Sequence, residues 1–139
     1  MLKKPKITAD TNIFISSFIC VSAVAVKVID LAEEGLCEIA VSEEIIKEFK
    51  RVAKVKFGWD EAQNTVAEEV LRGLCNVVKP SLKVNVVKID PDDDSIIECA
   101  LEARSEYIVT GDKHLLDIGQ YKGIKIITTA EFVKMMMQL

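Results

Sequence analysis

Short β-branched runs alternating with longer runs of helical period constrain this chain more than any other feature. Residues 6–9 (KITA), 38–41 (EIAV), 84–89 (VNVVKI), 107–110 (YIVT) and 124–128 (IKIIT) each read as a strand. Between them, residues 23–34 carry Val24, Val28, Ile29, Leu31 and Ala32 at helical spacing and close at Gly35. Ser42 is an N-cap followed by Glu43 and Glu44. It opens a helix with Ile45, Ile46, Phe49, Val52 and Ala53 inward and Gly58 at its end. Asp60 opens another helix to about Cys75, with Val66, Val70, Leu71 and Leu74 inward, and Pro80 punctuates. Further helices are predicted over 95–104 and 130–139, with a short helical turn at 114–118. Strands separated by helices in this rhythm require crossover connections and hence parallel pairing. The expected fold is α/β, a three-layer α/β/α sandwich with a central parallel sheet, in a single domain over residues 1–139.

Composition narrows the function classes. With 18 basic and 22 acidic residues the formal charge is −4, so a general electrostatic sink for nucleic acid is excluded. A phosphate-bearing partner must be held by a local patch or through a metal ion. Cys20, Cys37, Cys75 and Cys99 lie far apart with no C-x-x-C, inside apolar runs such as IIECAL, which reads as buried free thiols in a reducing compartment. A lone His114 cannot build a His-rich zinc site and reads as an exposed or structural residue. The start MLKKPK and the apolar run over 13–29 imitate a secretory signal. Asp10, Asn12 and Lys27 interrupt that pattern, so the expectation is a cytoplasmic protein with no membrane partner.

In open parallel sheets the reactive edge is the carboxyl end of the strands. Asp10 ends the first predicted strand, the run Asp90-Pro91-Asp92-Asp93-Asp94 follows VNVVKI, and Asp112 lies two residues past YIVT. Glu48 sits beside the apolar face of the helix after the second strand. All of these can face one sheet edge. Two unit charges about 4 Å apart repel by roughly 4 kcal/mol at an effective dielectric near 20, so such a cleft demands protonation or a cation. Oxygen-only ligands select Mg²⁺ or Mn²⁺, one or two ions, which polarise a phosphodiester and lower the pKa of water.

Each acid also has a structural use. Asp10 suits a turn or N-cap, one of Asp92, Asp93 and Asp94 suits the N-cap of the helix over 95–104, Asp112 suits a turn, and Glu48 suits a solvated helix face. Asn12 and Thr110 are polar strand-end residues able to orient a ligand carboxylate. Lys47, Arg51 and Lys54 share a helix face at i, i+4, i+7 and form a basic stripe suited to a nucleic-acid backbone. Trp59 beside Gly58 reads as a packing or loop anchor.

Asp10-Thr11-Asn12 with IFISS, Ser42-Glu43-Glu44-Ile45-Ile46-Lys47-Glu48-Phe49, DPDDDSIIECALEA and IVTGDKHLL resemble, in this order, the signature blocks of PIN (PilT N-terminal) domains. The nearest branch is the prokaryotic toxin components of toxin–antitoxin pairs. The resemblance implies a Mg²⁺/Mn²⁺-dependent ribonuclease with catalytic and metal-binding acids at Asp10, Glu48, Asp93 and Asp112. Asp93 matches the spacing to Ala100, and Glu48 rather than Glu44 matches the acid before an apolar residue. Asn12, Thr110 and Asp117 fall at accessory positions. It further implies an RNA substrate, a small antitoxin protein as partner and a homodimer. Two other classes share this fold logic: a non-catalytic RNA- or protein-binding module, and a phosphoacceptor receiver-like domain. The latter needs paired acids after the first strand, where this chain offers only Asp10.

Overall fold

The computed structural model describes residues 4–85 and 91–138. Among these, the strands are β1 (Lys6–Ala9), β2 (Glu38–Ser42), β3 (Asn76–Val78), β4 (Tyr107–Val109), β5 (Gln120–Tyr121) and β6 (Ile124–Ile127). The helices are α1 (Thr11–Phe18), α2 (Ala23–Glu33), α3 (Glu43–Phe57), α4 (Glu61–Leu74), α5 (Pro91–Ala103), α6 (Lys113–Ile118) and α7 (Thr129–Met137). The strands form one sheet in the order β3-β2-β1-β4-β6-β5. Every neighbouring pair is parallel except β5 with β6. The α/β layering follows the predicted rhythm, with helices flanking a mostly parallel sheet.

The chain builds outward from β1 to β2 and β3, then returns to place β4 on the other side of β1. That reversal makes the carboxyl ends of β1 and β4 the topological switch point, where open α/β sheets form their crevice. Ile7, Ala9, Ile39, Val41, Ile108 and Val109 are buried in the sheet. Phe14, Phe49 and Phe132 are the largest fully buried side chains of the surrounding cluster.

Several elements differ from the sequence expectation. Among the described residues the third strand is Asn76–Val78, which the sequence reading does not include; residues 84 and 85 of the expected strand over 84–89 are not in a strand, and its residues 86–89 lie outside the described residues. Val84 donates its backbone N–H to Glu98 Oε2 at 2.9 Å, a side-chain acceptor on α5. β3 leaves no signature in the sequence because Asn76 and Val77 are exposed on an edge strand, with no burial alternation. Helix α1 was not predicted, since Thr11, Ile13, Phe14, Ile15 and Ser17 are all buried and erase the one-sided pattern. The apolar run is split between α1 and α2, which bend by 101° at the break. Among the described residues no single helix is long and apolar enough to cross a membrane.

Two further corrections concern helix faces and ends. On α4 the buried stripe is Asn64, Ala67 and Leu71, while Val66 and Val70 are 62% and 46% exposed. Helix α5 starts at Pro91, the position where proline's fixed φ and missing N–H suit a helix best. Asp92, Asp93 and Asp94 therefore lie in its first turn rather than at an N-cap before residue 95. Strand β5 was also unforeseen. It pairs with β6 through Lys122 and Gly123, whose φ values of 48° and 84° make the mirror-image turn that two-residue hairpins favour.

The junction between α3 and α4 is tightly specified. Gly58 takes φ 67° and donates its N–H toward Lys54 O, and Trp59 N–H donates to Ala53 O. Asp60 then caps α4 reciprocally with Gln63. Added bulk at Gly58 meets open space, so the penalty of substitution is conformational. Gly58→Ala is expected to lower stability by about 1 kcal/mol in urea unfolding, and Gly58→Asn by less. An unchanged midpoint for both would show that this turn is not strained.

Candidate metal centre

The register of β1 on β4 sets Ala9 opposite Val109, so the next residues, Asp10 and Thr110, leave the sheet side by side. Asp10 N–H continues the ladder to Val109 O at 3.0 Å. Asp10 is also the N-cap of α1, its Oδ1 accepting from Asn12 N–H at 3.3 Å. Thr110, fully buried, donates its hydroxyl to Asp10 Oδ2 at 2.6 Å and accepts the Asp112 N–H at 2.9 Å. One hydroxyl thus ties two acidic residues from neighbouring strand ends into a fixed relation. Asp112 caps α6 through a 2.7 Å bond from His114 N–H to its Oδ1.

The start of α5 brings in the third acid. One carboxylate oxygen each from Asp10, Asp93 and Asp112 lie within 4.8 Å of one another. Asp10 and Asp93 are buried and Asp112 is partly exposed. They line a cleft of about 80 Å³ together with Thr11, Asn12, Glu48 and Ile96. At that spacing each ionised pair repels by roughly 3 kcal/mol at an effective dielectric near 20. Burial raises the Asp10 pKa above its ordinary value, and the Asp112 charge pushes the same way. The bonds from Thr110, Asn12 and Thr11 oppose that rise without cancelling it.

Three hard oxygen donors converging from separate elements fit a divalent cation of the Mg²⁺ or Mn²⁺ type. Buried carboxylates need a counter-charge, and no thiol or imidazole joins the set.

Glu48 reaches the cleft from α3 but stands outside the close trio. Its carboxylate is held by Arg51, with Nε to Oε2 at 3.1 Å and Nη2 to Oε1 at 2.5 Å. Asn12 lines the cleft, and its backbone orients Asp10. Asp117 sits exposed on α6 and is absent from the cleft lining. Lys47, Arg51 and Lys54 are exposed along α3 and line an adjoining groove with Trp59. Thr11 and Ile96 line the cleft without having been singled out in the sequence. Thr11 lies within the D-T-N triplet, where its place beside Asp10 was the available signal.

The sign of the Asp10 effect can be tested in metal-free protein. A carboxyl whose folded pKa is raised leaves stability unaffected below its unfolded value. It lowers stability as pH rises through the folded pKa. Asp10→Asn should therefore raise the unfolding midpoint at neutral pH, with the gain shrinking as pH falls into the acid range. A constant difference across pH would contradict it. Thr110→Val removes a charge-assisted bond and should cost about 2 kcal/mol by denaturant unfolding. A loss near zero would show that the hydroxyl does not bear on the acids.

Comparison with known proteins bears on the fold and the family. The PIN domain family matches residues 6–114. An uncharacterized protein of Methanocaldococcus jannaschii is 29% identical over 143 aligned positions, covering 94% of this chain and 91% of that protein. The crystal structure of VapBC2 from Rickettsia felis, bound to a DNA fragment from its promoter, contains a similar chain. It has TM-score 0.64 and 16% identity, covering 88% of this chain and 98% of that one. PAE2754 from Pyrobaculum aerophilum superposes at TM-score 0.65 with 14% identity, covering 97% and 91% of the two chains. At such identities the solved structures speak for the fold, and the match over residues 6–114 speaks for the family. The chain belongs to the PIN domain family.

Proposed function

We propose that this chain is a Mg²⁺- or Mn²⁺-dependent endoribonuclease that hydrolyses RNA phosphodiester bonds. The observation that carries the reading is the Asp10–Asp93–Asp112 cluster at the switch point of a PIN-family sheet. When bound, such a cation supplies Lewis acidity at the phosphodiester and a lowered pKa for water. The chain's own residues do the rest. Asp10, Asp93 and Asp112 would hold the cation, and Glu48 would add a carboxylate to the same cleft for a second ion. Thr110 and the Asn12 backbone keep Asp10 in place, and Asn12 adds a polar side chain at the cleft. Lys47, Arg51 and Lys54 hold backbone phosphates beside it. Asp117 is an accessory acid only if α6 shifts toward the cleft.

We further propose that the enzyme is the toxin of a toxin–antitoxin pair, acting in the cytoplasm as a homodimer restrained by a small antitoxin. The Rickettsia felis neighbour was solved as VapBC2 on a DNA fragment from its promoter, which supports a partner protein of this type. Cys37, Cys75 and Cys99 are buried free thiols as expected, whereas Cys20 is exposed; four unpaired thiols suit a reducing compartment.

Single-stranded RNA should be cut with Mn²⁺ or Mg²⁺ present and left intact in chelator. Asp10→Asn, Asp93→Asn and Asp112→Asn should each slow cleavage on the order of 100-fold or more, since several kcal/mol of charge stabilisation is lost. Mn²⁺ should raise the thermal midpoint of the parent and not of Asp10→Asn. Metal-linked stabilisation without cleavage would instead mark a non-catalytic binding module. The absence of both effects would rule out the metal centre.

A further inference from the structure

We propose that the groove between α3 and α4 is a subsite for one unpaired nucleotide, with the Trp59 indole as its stacking platform. This deepens the nuclease reading and rests on it for the choice of RNA. The groove encloses about 530 Å³, within the range of small-ligand pockets. It adjoins the acidic cleft through Arg51, which lines the groove while holding Glu48 in the cleft. A strand leaving the cleft therefore passes over Arg51 into the groove.

The two walls differ in chemistry. The α3 wall carries Lys47 and Lys54, which form no ion pair among the described residues, whereas Lys50 is committed to Glu68 at 2.7 Å. The α4 wall carries Asn64 and the acidic Glu61. Phosphates are drawn to the first wall and repelled by the second, so the backbone lies on α3 with its base turned toward α4.

There the base meets Trp59, partly buried and held edge-to-face on Phe49 at 6.0 Å between centroids. The Gly58 turn and the Asp60 cap fix the indole at this position. An independent feature of the same wall points to a ligand donor. Asn64, 6% exposed, gives its Nδ2 to Lys50 O at 3.3 Å, and its Oδ1 accepts no hydrogen bond. Reversing the amide would set two acceptors against each other, so the orphaned atom is the acceptor. That atom is covered in this structure, so an amino or imino group of a base inserted beside the indole satisfies it once the covering side chains part. Base stacking of this kind needs an unpaired strand.

Trp59 is the only tryptophan in the chain, so its fluorescence reports on this site directly. The full chain in chelator, where cleavage is blocked, would be titrated with a single-stranded oligoribonucleotide of about six nucleotides. Saturable quenching is expected, weakening steeply with salt. In Lys47→Gln/Lys54→Gln the affinity should fall about tenfold or more. Affinity of a labelled strand, read by anisotropy, should fall about tenfold in Trp59→Leu and less in Trp59→Phe. Binding that leaves the fluorescence and the Trp59→Leu affinity unchanged would overturn the proposal. So would equal quenching by duplex RNA or by polyglutamate, the latter marking an acidic-peptide surface. Quenching without cleavage under Mn²⁺ would defeat the nuclease reading and leave the subsite standing. Cleavage without quenching would do the reverse.

Discussion

Thr8 and Ala9 of β1 pair with Ile108 and Val109 of β4, and the ladder runs one step further through the Asp10 amide to Val109 O. That step delivers a carboxylate to within 2.6 Å of the Thr110 hydroxyl, whose oxygen in turn accepts the Asp112 N–H. Backbone pairing in the middle of a buried sheet is among the most rigid features of a fold. The acids therefore cannot relax apart to relieve their repulsion. The pKa of Asp10 is raised chiefly by its burial at this strand end, with the nearby Asp112 charge a smaller contribution in the same direction.

A site of this kind weakens the protein that carries it. Burying like charges lowers stability, and the surrounding cluster of apolar residues offsets that loss. Helix α3 adds a second compensation. It places Arg51 on Glu48, so the fourth acid of the cleft is neutralised from within one turn of helix. The pair is substantially exposed on its Arg51 side, so its value lies in setting the position of Glu48 more than in stability. Cations on α3 and acids in the cleft stand next to each other, which suits a polyanion approaching a bound metal ion. It also reconciles an overall charge of −4 with the phosphate-bearing partner proposed above.

Much of the fold was legible in the residues because its causes are local. Ser42, Gly58 and Asp60 mark helix ends through hydrogen bonds spanning three to five residues, and all three behave in the structure as caps. Misreadings cluster where burial is not one-sided. Helix α1 is buried around most of its surface and β3 is exposed at an edge, so neither shows a period. On α4 the apolar residues Val66 and Val70 face away from the buried stripe of Asn64, Ala67 and Leu71, a rotation that composition alone does not encode.

The sequence by itself determined that strands and helices alternate, that the sheet is largely parallel, and that Asp10, the run Asp92-Asp93-Asp94 and Asp112 follow or precede elements ending at its carboxyl edge, the choice of Asp93 within that run resting on the family resemblance. These follow from side-chain period, capping chemistry and the length of crossover connections. Only the tertiary structure decided that β4 lies directly beside β1, that Thr110 bridges Asp10 and Asp112, and that Arg51 turns onto Glu48 while Asp117 stays at the surface. Strand order is selected by how the whole set of helices buries both sheet faces. That is a balance among distant contacts which no local stretch of chain contains.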